Sequence, residues 1–210
     1  MSDQGSAAWF ADRCGKVTAS RLADVMAYGK KGQPLKARED YMAEIIAEQL
    51  TGDTAEHFVS KPMLWGIEHE PDARSRYEVE RETFVDETGF VPHPTIEMAG
   101  ASPDGLVGED GLVEIKCPNT ATHIKTLIRR TADPQYMAQM QWQLACTGRK
   151  WCDFVSYDPR MPDALQVFIA RVERDEDAIA AAEKEVQLFL QEAALTITAI
   201  YGGKRERVSS

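Results

Sequence analysis

The amino-acid sequence predicts an α/β (α+β) domain with one central mixed β-sheet flanked by helices. Three observations predict it. Helical patterns fill the chain up to residue 81, three strand-like stretches follow between residues 83 and 117, and a strand pair over residues 151–158 and 165–172 is framed by two more helical stretches. Strands and helices grouped in this way, rather than strictly alternating, build a mixed sheet with helices packed on it. A chain of 210 residues can bury one sizeable core, so a single domain over residues 1–210 is expected.

Each element has a local reason. "VTASRLADVMA" puts Leu22, Val25 and Met26 on one helical face behind a Thr18 or Ser20 cap. Residues 38–52 form a longer helix with Tyr41, Met42, Ile45, Ile46 and Leu50 on its apolar side and Gly52 just beyond its end. Residues 64–81 read as a helix of about four turns, with Pro71 accepted if the helix starts near it. Strands are expected over residues 83–91, 98–107 and 111–117, the last two joined by the tight turn "GEDG". After Pro118 a polar connection leads to a helix over residues 134–147, stopped by Gly148. The strand pair turns at "DPRMPD", and a final amphipathic helix covers residues 175–195.

Composition narrows the class. With 43% hydrophobic and 28% charged residues the chain is of soluble globular type, and no apolar run approaches the ~18 residues of a membrane span. The N-terminal stretch has no basic region followed by an apolar one, so no secretory signal is read there. Cys14, Cys117, Cys146 and Cys152 follow neither a disulfide nor a zinc spacing, and reduced, buried thiols in a cytoplasmic protein are expected. The net charge of −10 opposes nucleic acid as a general partner, but local clusters set the field that a ligand feels. Lys30, Lys31, Lys36 and Arg38 flank the loop "YGKKGQP", within reach of a phosphate backbone. Lys125, Arg129 and Arg130 form a second group, and Lys204, Arg205 and Arg207 read as a solvated tail.

The chemistry concentrates in "ASPDGLVGEDGLVEIKCP", residues 101–118. Glu114 and Lys116 are two apart on a strand and share a face with Leu112, while Val113, Ile115 and Cys117 form an opposite, apolar face that packs into the core. Asp104 lies across the hairpin from Glu114. Two carboxylates so placed repel and raise each other's pKa, and a divalent cation between them removes the penalty. Oxygen-only ligands suit Mg2+ or Mn2+, and a lysine beside such an ion can orient a water or stabilise charge on a phosphate. An E-x-K pair alone is usually a solvent-facing salt bridge; the aspartate on the neighbouring strand is what shifts the reading. A calcium loop of EF-hand type fails, because Pro103, Gly105 and Val107 fall at its first, third and fifth ligand positions.

These residues carry a resemblance. "SPDG" followed by "EIKCP" resembles the PD-(D/E)xK nuclease signature. Together with "RCGKVTASRLADVMA", "LWGIEHEPDAR", "YMAQMQWQLACTGRKWCDFVSYDPRM" and "VERDE", it is similar, in order and spacing, to the phage lambda exonuclease and YqaJ-like alkaline exonuclease family, over nearly the whole chain. The resemblance implies a restriction-endonuclease-like core and a Mg2+-dependent 5′-to-3′ exonuclease acting on double-stranded DNA ends, with Mn2+ able to substitute. It also implies a homotrimeric ring that hands a 3′ strand to a single-strand annealing protein.

Carried over residue by residue, the resemblance makes Asp104, Glu114 and the Ile115 carbonyl metal ligands, with Glu70 binding a second ion. Lys116 positions the attacking water, Gln139 sits near the nucleophile, and Arg13 and Ser20 grip a terminal 5′-phosphate. Taken alone, Glu70 and Arg13 also read as helix-surface charges, Ser20 as an N-cap, and Gln139 as a polar neighbour of an apolar helix face. The chain departs from the family at Thr122, which stands where lambda exonuclease has an arginine, with Lys125 and Arg129 as candidate replacements. Met63 and Leu64, before Trp65, match a strand-separating wedge or a plain core role. The competing readings are an endonuclease of restriction or repair type on the same core, a non-catalytic DNA-end-binding subunit, and a scaffold with a structural Ca2+ site.

Overall fold

In the computed structural model, which describes residues 4–54 and 60–208 (the last six of these by backbone alone), a short helix α1 (Ala7–Arg13) opens the chain. Its N-cap Ser6 accepts a hydrogen bond from the Trp9 amide. Strand β1 (Val17–Thr18), a 3-10 turn and the short helix α2 (Leu22–Val25) follow. The expected side-chain cap at this helix does not form. Thr18 precedes the turn without capping it, and Ser20 lies inside the turn, exposed to solvent. Helix α3 (Lys36–Thr51) buries Tyr41, Met42, Ile45 and Ile46, as the pattern predicts, and ends at Gly52 in the left-handed region.

Helix α4 (Lys61–Arg81) begins ten residues ahead of Pro71, not beside it. Its start is set by Ser60, which caps the Met63 amide, and by Pro62 in the first turn, so Pro71 stands in the helix interior. The stretch expected as one strand over residues 83–91 yields two short ones, β2 (Val85–Asp86) and β3 (Val91–Pro92). The next divides as well, into β4 (Ala99–Ala101) and β5 (Gly105–Val107), because Pro103 between them cannot donate to a ladder. Strand β6 (Gly111–Lys116) leads into a helix where the pattern reads only a polar connection: α5 (Thr120–Arg129), capped by Asn119. After it come α6 (Met137–Thr147), stopped by left-handed Gly148, then β7 (Trp151–Tyr157), β8 (Val167–Glu173) and α7 (Glu176–Val208), which runs well past the expected end.

The strands form two sheets. The larger has the order β2-β5-β6-β7-β8 and is mixed, with β6 and β7 parallel and the other pairs antiparallel. The smaller has the order β1-β4-β3, with β1 parallel to β4. Helices cover both faces of the larger sheet. Ala73 and Tyr77 of α4 pack on Val113, Ile115 and Val155. On the other face, Met140 and Leu144 of α6 pack on Leu112, Cys152 and Phe154. A third cluster joins α2, α3, α6 and α7 to the smaller sheet through Tyr41, Trp142 and Phe189. No helix among the described residues is long and apolar enough to cross a membrane.

The covering of both faces corrects one expectation. The side of β6 that carries Leu112 and Glu114 is not an open polar face; it lies under α6, and both residues are fully buried.

Candidate active site

Pairing between β5 and β6 puts Gly105 opposite Val113, so one step further along the ladder Asp104 falls opposite Glu114. Asp104 sits where the chain leaves β4 for β5. Its Oδ2 accepts the Ile115 amide at 2.6 Å, which ties the acid to the end of β6. Glu114 is completely buried, and each of its oxygens is held. Oε1 receives Lys116 Nζ at 2.5 Å and Gln139 Nε2 at 2.7 Å, and Oε2 receives Gln143 Nε2 at 2.6 Å. Lys116 also lies 4.9 Å from the centre of the Tyr136 ring. A surface salt bridge, the ordinary meaning of E-x-K, does not describe this pair.

Glu70 reaches the same cluster from α4, where Arg74 holds its Oε1 at 2.9 Å and also pairs with Glu87. Burial raises the pKa of Asp104 well above the usual carboxyl range. The charges of Glu114 and Glu70 push the same way, against the pull of Lys116 and of the Ile115 amide. Glu70 is likewise raised by burial, with Arg74 opposing and Glu114 adding to the rise. Burial alone would lower Lys116, but Glu114 and Asp104 outweigh it and raise the lysine, which is therefore a cation at any ordinary pH. Beside it, burial and the nearby acids push the Cys117 thiol up to about 12, so it is not a thiolate nucleophile. All four cysteines are free.

Asp104 and Glu70 open into a cavity of about 680 Å3 whose wall includes Arg13, Ser20, Trp9 and Met63. Arg13 stacks over the Trp9 ring at 4.1 Å and donates to Ser102 Oγ at 3.1 Å, and Trp9 Nε1 donates to the same oxygen at 3.0 Å. Burial lowers the Arg13 pKa, with Tyr41 and Glu48 opposing. Of the expected site residues, Asp104, Glu70, Arg13 and Ser20 line one cavity, while Glu114, Lys116 and Gln139 form a bonded group behind Asp104; the structure adds three residues that the sequence pattern did not single out: Ser102, Arg74 and Gln143. Ser102 stands two residues before Asp104 in the quoted motif, and Gln143 stands one helical turn beyond Gln139, so both positions were open to notice. Thr122, Lys125 and Arg129 of α5 do not line the cavity, and Arg129 pairs with Asp133 at 3.0 Å. Among the described residues, the cations that line it besides Arg13 are Lys16, Arg21 and Arg74. Met63 and Leu64 are about half exposed, which excludes the plain core role. The side chains of Lys204, Arg205 and Arg207 lie outside the described residues.

The acids gathered here, Asp104, Glu114 and Glu70, offer oxygen donors only. Such a set fits a hard divalent ion, and the two carboxyls that burial makes costly to ionise are what such an ion relieves. Among the described residues, no three His, Cys, Asp or Glu side chains converge on one point as they stand; Lys116 and the two glutamine amides occupy the space around Glu114.

A mixed sheet with Glu114 and Lys116 at the end of its central strand β6 and Asp104 opposite them, under two covering helices, defines a nuclease of the PD-(D/E)xK type. Residues 8–150 match the YqaJ-like viral recombinase domain, and the chain belongs to that family. Among solved structures it is similar to the alkaline exonuclease LHK-Exo of Laribacter hongkongensis, with 50% sequence identity over 96% of this chain and 99% of that one and a TM-score of 0.88. The complex of LHK-Exo with dAMP aligns with the same identity and coverage and a TM-score of 0.89. A phage-related exonuclease of Haemophilus somnus 129PT shares the fold at 17% identity, with a TM-score of 0.71 over 88% of this chain and 96% of that one. No curated protein matched.

Proposed function

We propose that the protein is a Mg2+-dependent 5′-to-3′ exonuclease that degrades one strand of linear duplex DNA from its ends and leaves 3′ single strands for recombination by strand annealing. The observation that carries this reading is the group Asp104, Glu114 and Lys116, with Glu70 beside it, set at a cavity whose wall bears Arg13 and Ser20. The name of the 50% identical relative, an alkaline exonuclease, supports the exonuclease class.

Asp104, Glu114, Glu70 and the Ile115 carbonyl would hold two Mg2+ ions, or Mn2+ in their place, which would supply Lewis acidity toward a water and the phosphate charge. The protein's own groups do the rest. Lys116, raised by Glu114 and Asp104 above its ordinary value, is placed to donate hydrogen bonds to the attacking water or to a phosphoryl oxygen. Gln139 holds the Glu114 oxygen that Lys116 shares. Arg74 keeps Glu70 turned toward the cluster. Arg13, stacked on Trp9, offers its guanidinium to a terminal 5′-phosphate, with the hydroxyls of Ser20 and Ser102 as further donors. A homotrimeric ring would enclose the duplex and make digestion processive, and an acidic outer surface would leave the channel as the favourable track. The product strand would pass to a single-strand annealing protein.

The test uses linear duplex DNA labelled separately at its 5′ and 3′ ends, with a closed circle as control, in Mg2+, Ca2+ or chelator. Label released first from 5′ ends, in Mg2+ only, with the circle intact, is the expected result. Cleavage of the circle would move the protein to the endonucleases. A folded, DNA-binding protein that cuts neither substrate would be a non-catalytic end binder.

A further inference from the structure

Helix α6 presents two glutamines to Glu114 from successive turns. Gln139 is partly exposed and donates to Oε1 at 2.7 Å. Gln143 is fully buried and donates to Oε2 at 2.6 Å. A carboxylate only accepts, so the amide end facing Glu114 is the NH2 group, and the Gln143 oxygen points elsewhere. That oxygen, Oε1, is buried without a hydrogen-bond partner.

An unsatisfied buried acceptor destabilises a fold; the neighbouring buried positions of α6 are the apolar Met140, Trp142, Leu144, Ala145 and Cys146 and one further glutamine, Gln141, whose amide is satisfied at both ends by Glu173 and Asp175. Packing alone would place a leucine or methionine at position 143. Residues that break a local rule in this way cluster where function requires them. The torsion that turns a glutamate carboxylate about its last bond is soft, and one donor leaves it free to swing. Two donors fixed to one helix, one on each oxygen, lock its plane.

We propose that Gln143 is a positioning residue of the nuclease site. It holds Glu114 Oε2 so that Oε1, shared with Lys116 and Gln139, keeps a fixed direction toward the reacting groups. This inference rests on the reading of Glu114 as an acid of that site, and it assigns Gln143 a role through Glu114 rather than through DNA.

The test compares wild type, Gln143→Met and Gln143→His in three measurements: melting of the metal-free protein, Mn2+ binding by calorimetry without DNA, and steady-state cleavage of linear duplex. Methionine fills the space, removes the orphaned oxygen and removes the donor. The expected result is melting lower by no more than about 8 °C, because Glu114 Oε2 loses its donor while an orphaned oxygen is removed, Mn2+ affinity weaker by about 10- to 100-fold, and kcat lowered with KM for DNA unchanged. Histidine keeps an N–H at similar reach and is expected to recover most of both losses. A methionine variant that melts far lower or fails to fold would make Gln143 a packing residue and overturn the proposal. So would Mn2+ binding equal to wild type, or a histidine variant no better than the methionine one. If wild type itself cleaves nothing, the nuclease reading fails, while melting and Mn2+ binding still judge Gln143.

Discussion

Replacing Lys116 with methionine keeps the aliphatic stem and removes the ammonium that faces Glu114 at 2.5 Å. Removing one partner of a buried ion pair costs about 3–5 kcal/mol. The lysine side chain is 27% exposed, against 0% for Glu114, so solvent screening reduces the expected loss to about 2–3 kcal/mol. For a chain of this size that lowers the melting temperature by roughly 4–12 °C. The lysine pKa is raised in the fold, so its stabilisation is complete below the ordinary lysine value and fades only as pH climbs through the raised one; at pH 8 all of it is at stake. Asp104 and Glu70, with raised pKa values, penalise the fold once pH rises above their ordinary range, and losing Lys116 deepens that penalty. The deficit of Lys116→Met, measured by thermal melts in chelator, is therefore larger at pH 8 than at pH 5.5. Equal melting of variant and wild type at pH 8 would refute the view that this charge holds the acids together.

Three further outcomes follow from the same geometry. Asp104→Asn retains an oxygen for the Ile115 amide but cannot ionise, so at pH 8 the metal-free variant is more stable by about 1–2 kcal/mol while nuclease activity is lost; a lower melting temperature would contradict the raised pKa of Asp104. Arg13→Ala loses a charged hydrogen-bond donor to the terminal phosphate, worth roughly 10- to 100-fold in kcat/KM on 5′-phosphorylated ends and little on 5′-hydroxyl ends. Equal losses on the two ends would remove Arg13 from phosphate recognition. Gly111→Ala drives a methyl group into the Trp151 indole, which also carries Arg171 on its face, and costs about 1–3 kcal/mol in denaturant melts; an unchanged midpoint would mean that the indole moves aside freely.

What could be read from the sequence differs by element for physical reasons. The long α3 and α6 carry apolar residues at helical spacing and end at left-handed glycines, so both pattern and stop signal were visible. Helix α5 was hidden because its buried face is polar. His123 is fully buried between Ser156 Oγ and the Leu165 carbonyl, each at 2.8 Å, and Thr126 is buried beside it, while the apolar residues at helical spacing, Ile124 and Ile128, are exposed, so the apolar pattern did not mark the packed face. The second sheet was hidden because its strands are two or three residues long, too short for alternation to register.

At the site, the Asp104–Glu114–Lys116 spacing on a hairpin was legible because a strand fixes which side chains share a face. The covering of that face by α6 was not, since Leu112 and Glu114 read as one apolar and one polar residue on an open side. Arg74 escaped because its role depends on which helix faces which strand, whereas Gln143 carried a signal, its place one turn beyond Gln139.

The central claim is that Glu114, buried and held by three donors, is an acid of a DNA-cutting site. The most direct measurement is the rate of label release from 5′-labelled linear duplex in Mg2+ by wild type and by Glu114→Gln, at protein concentrations that saturate the DNA. Wild type is expected to release label and the variant to bind DNA without releasing it, because the amide keeps the size of the side chain and loses its charge. Release by Glu114→Gln at a rate near that of wild type would contradict it.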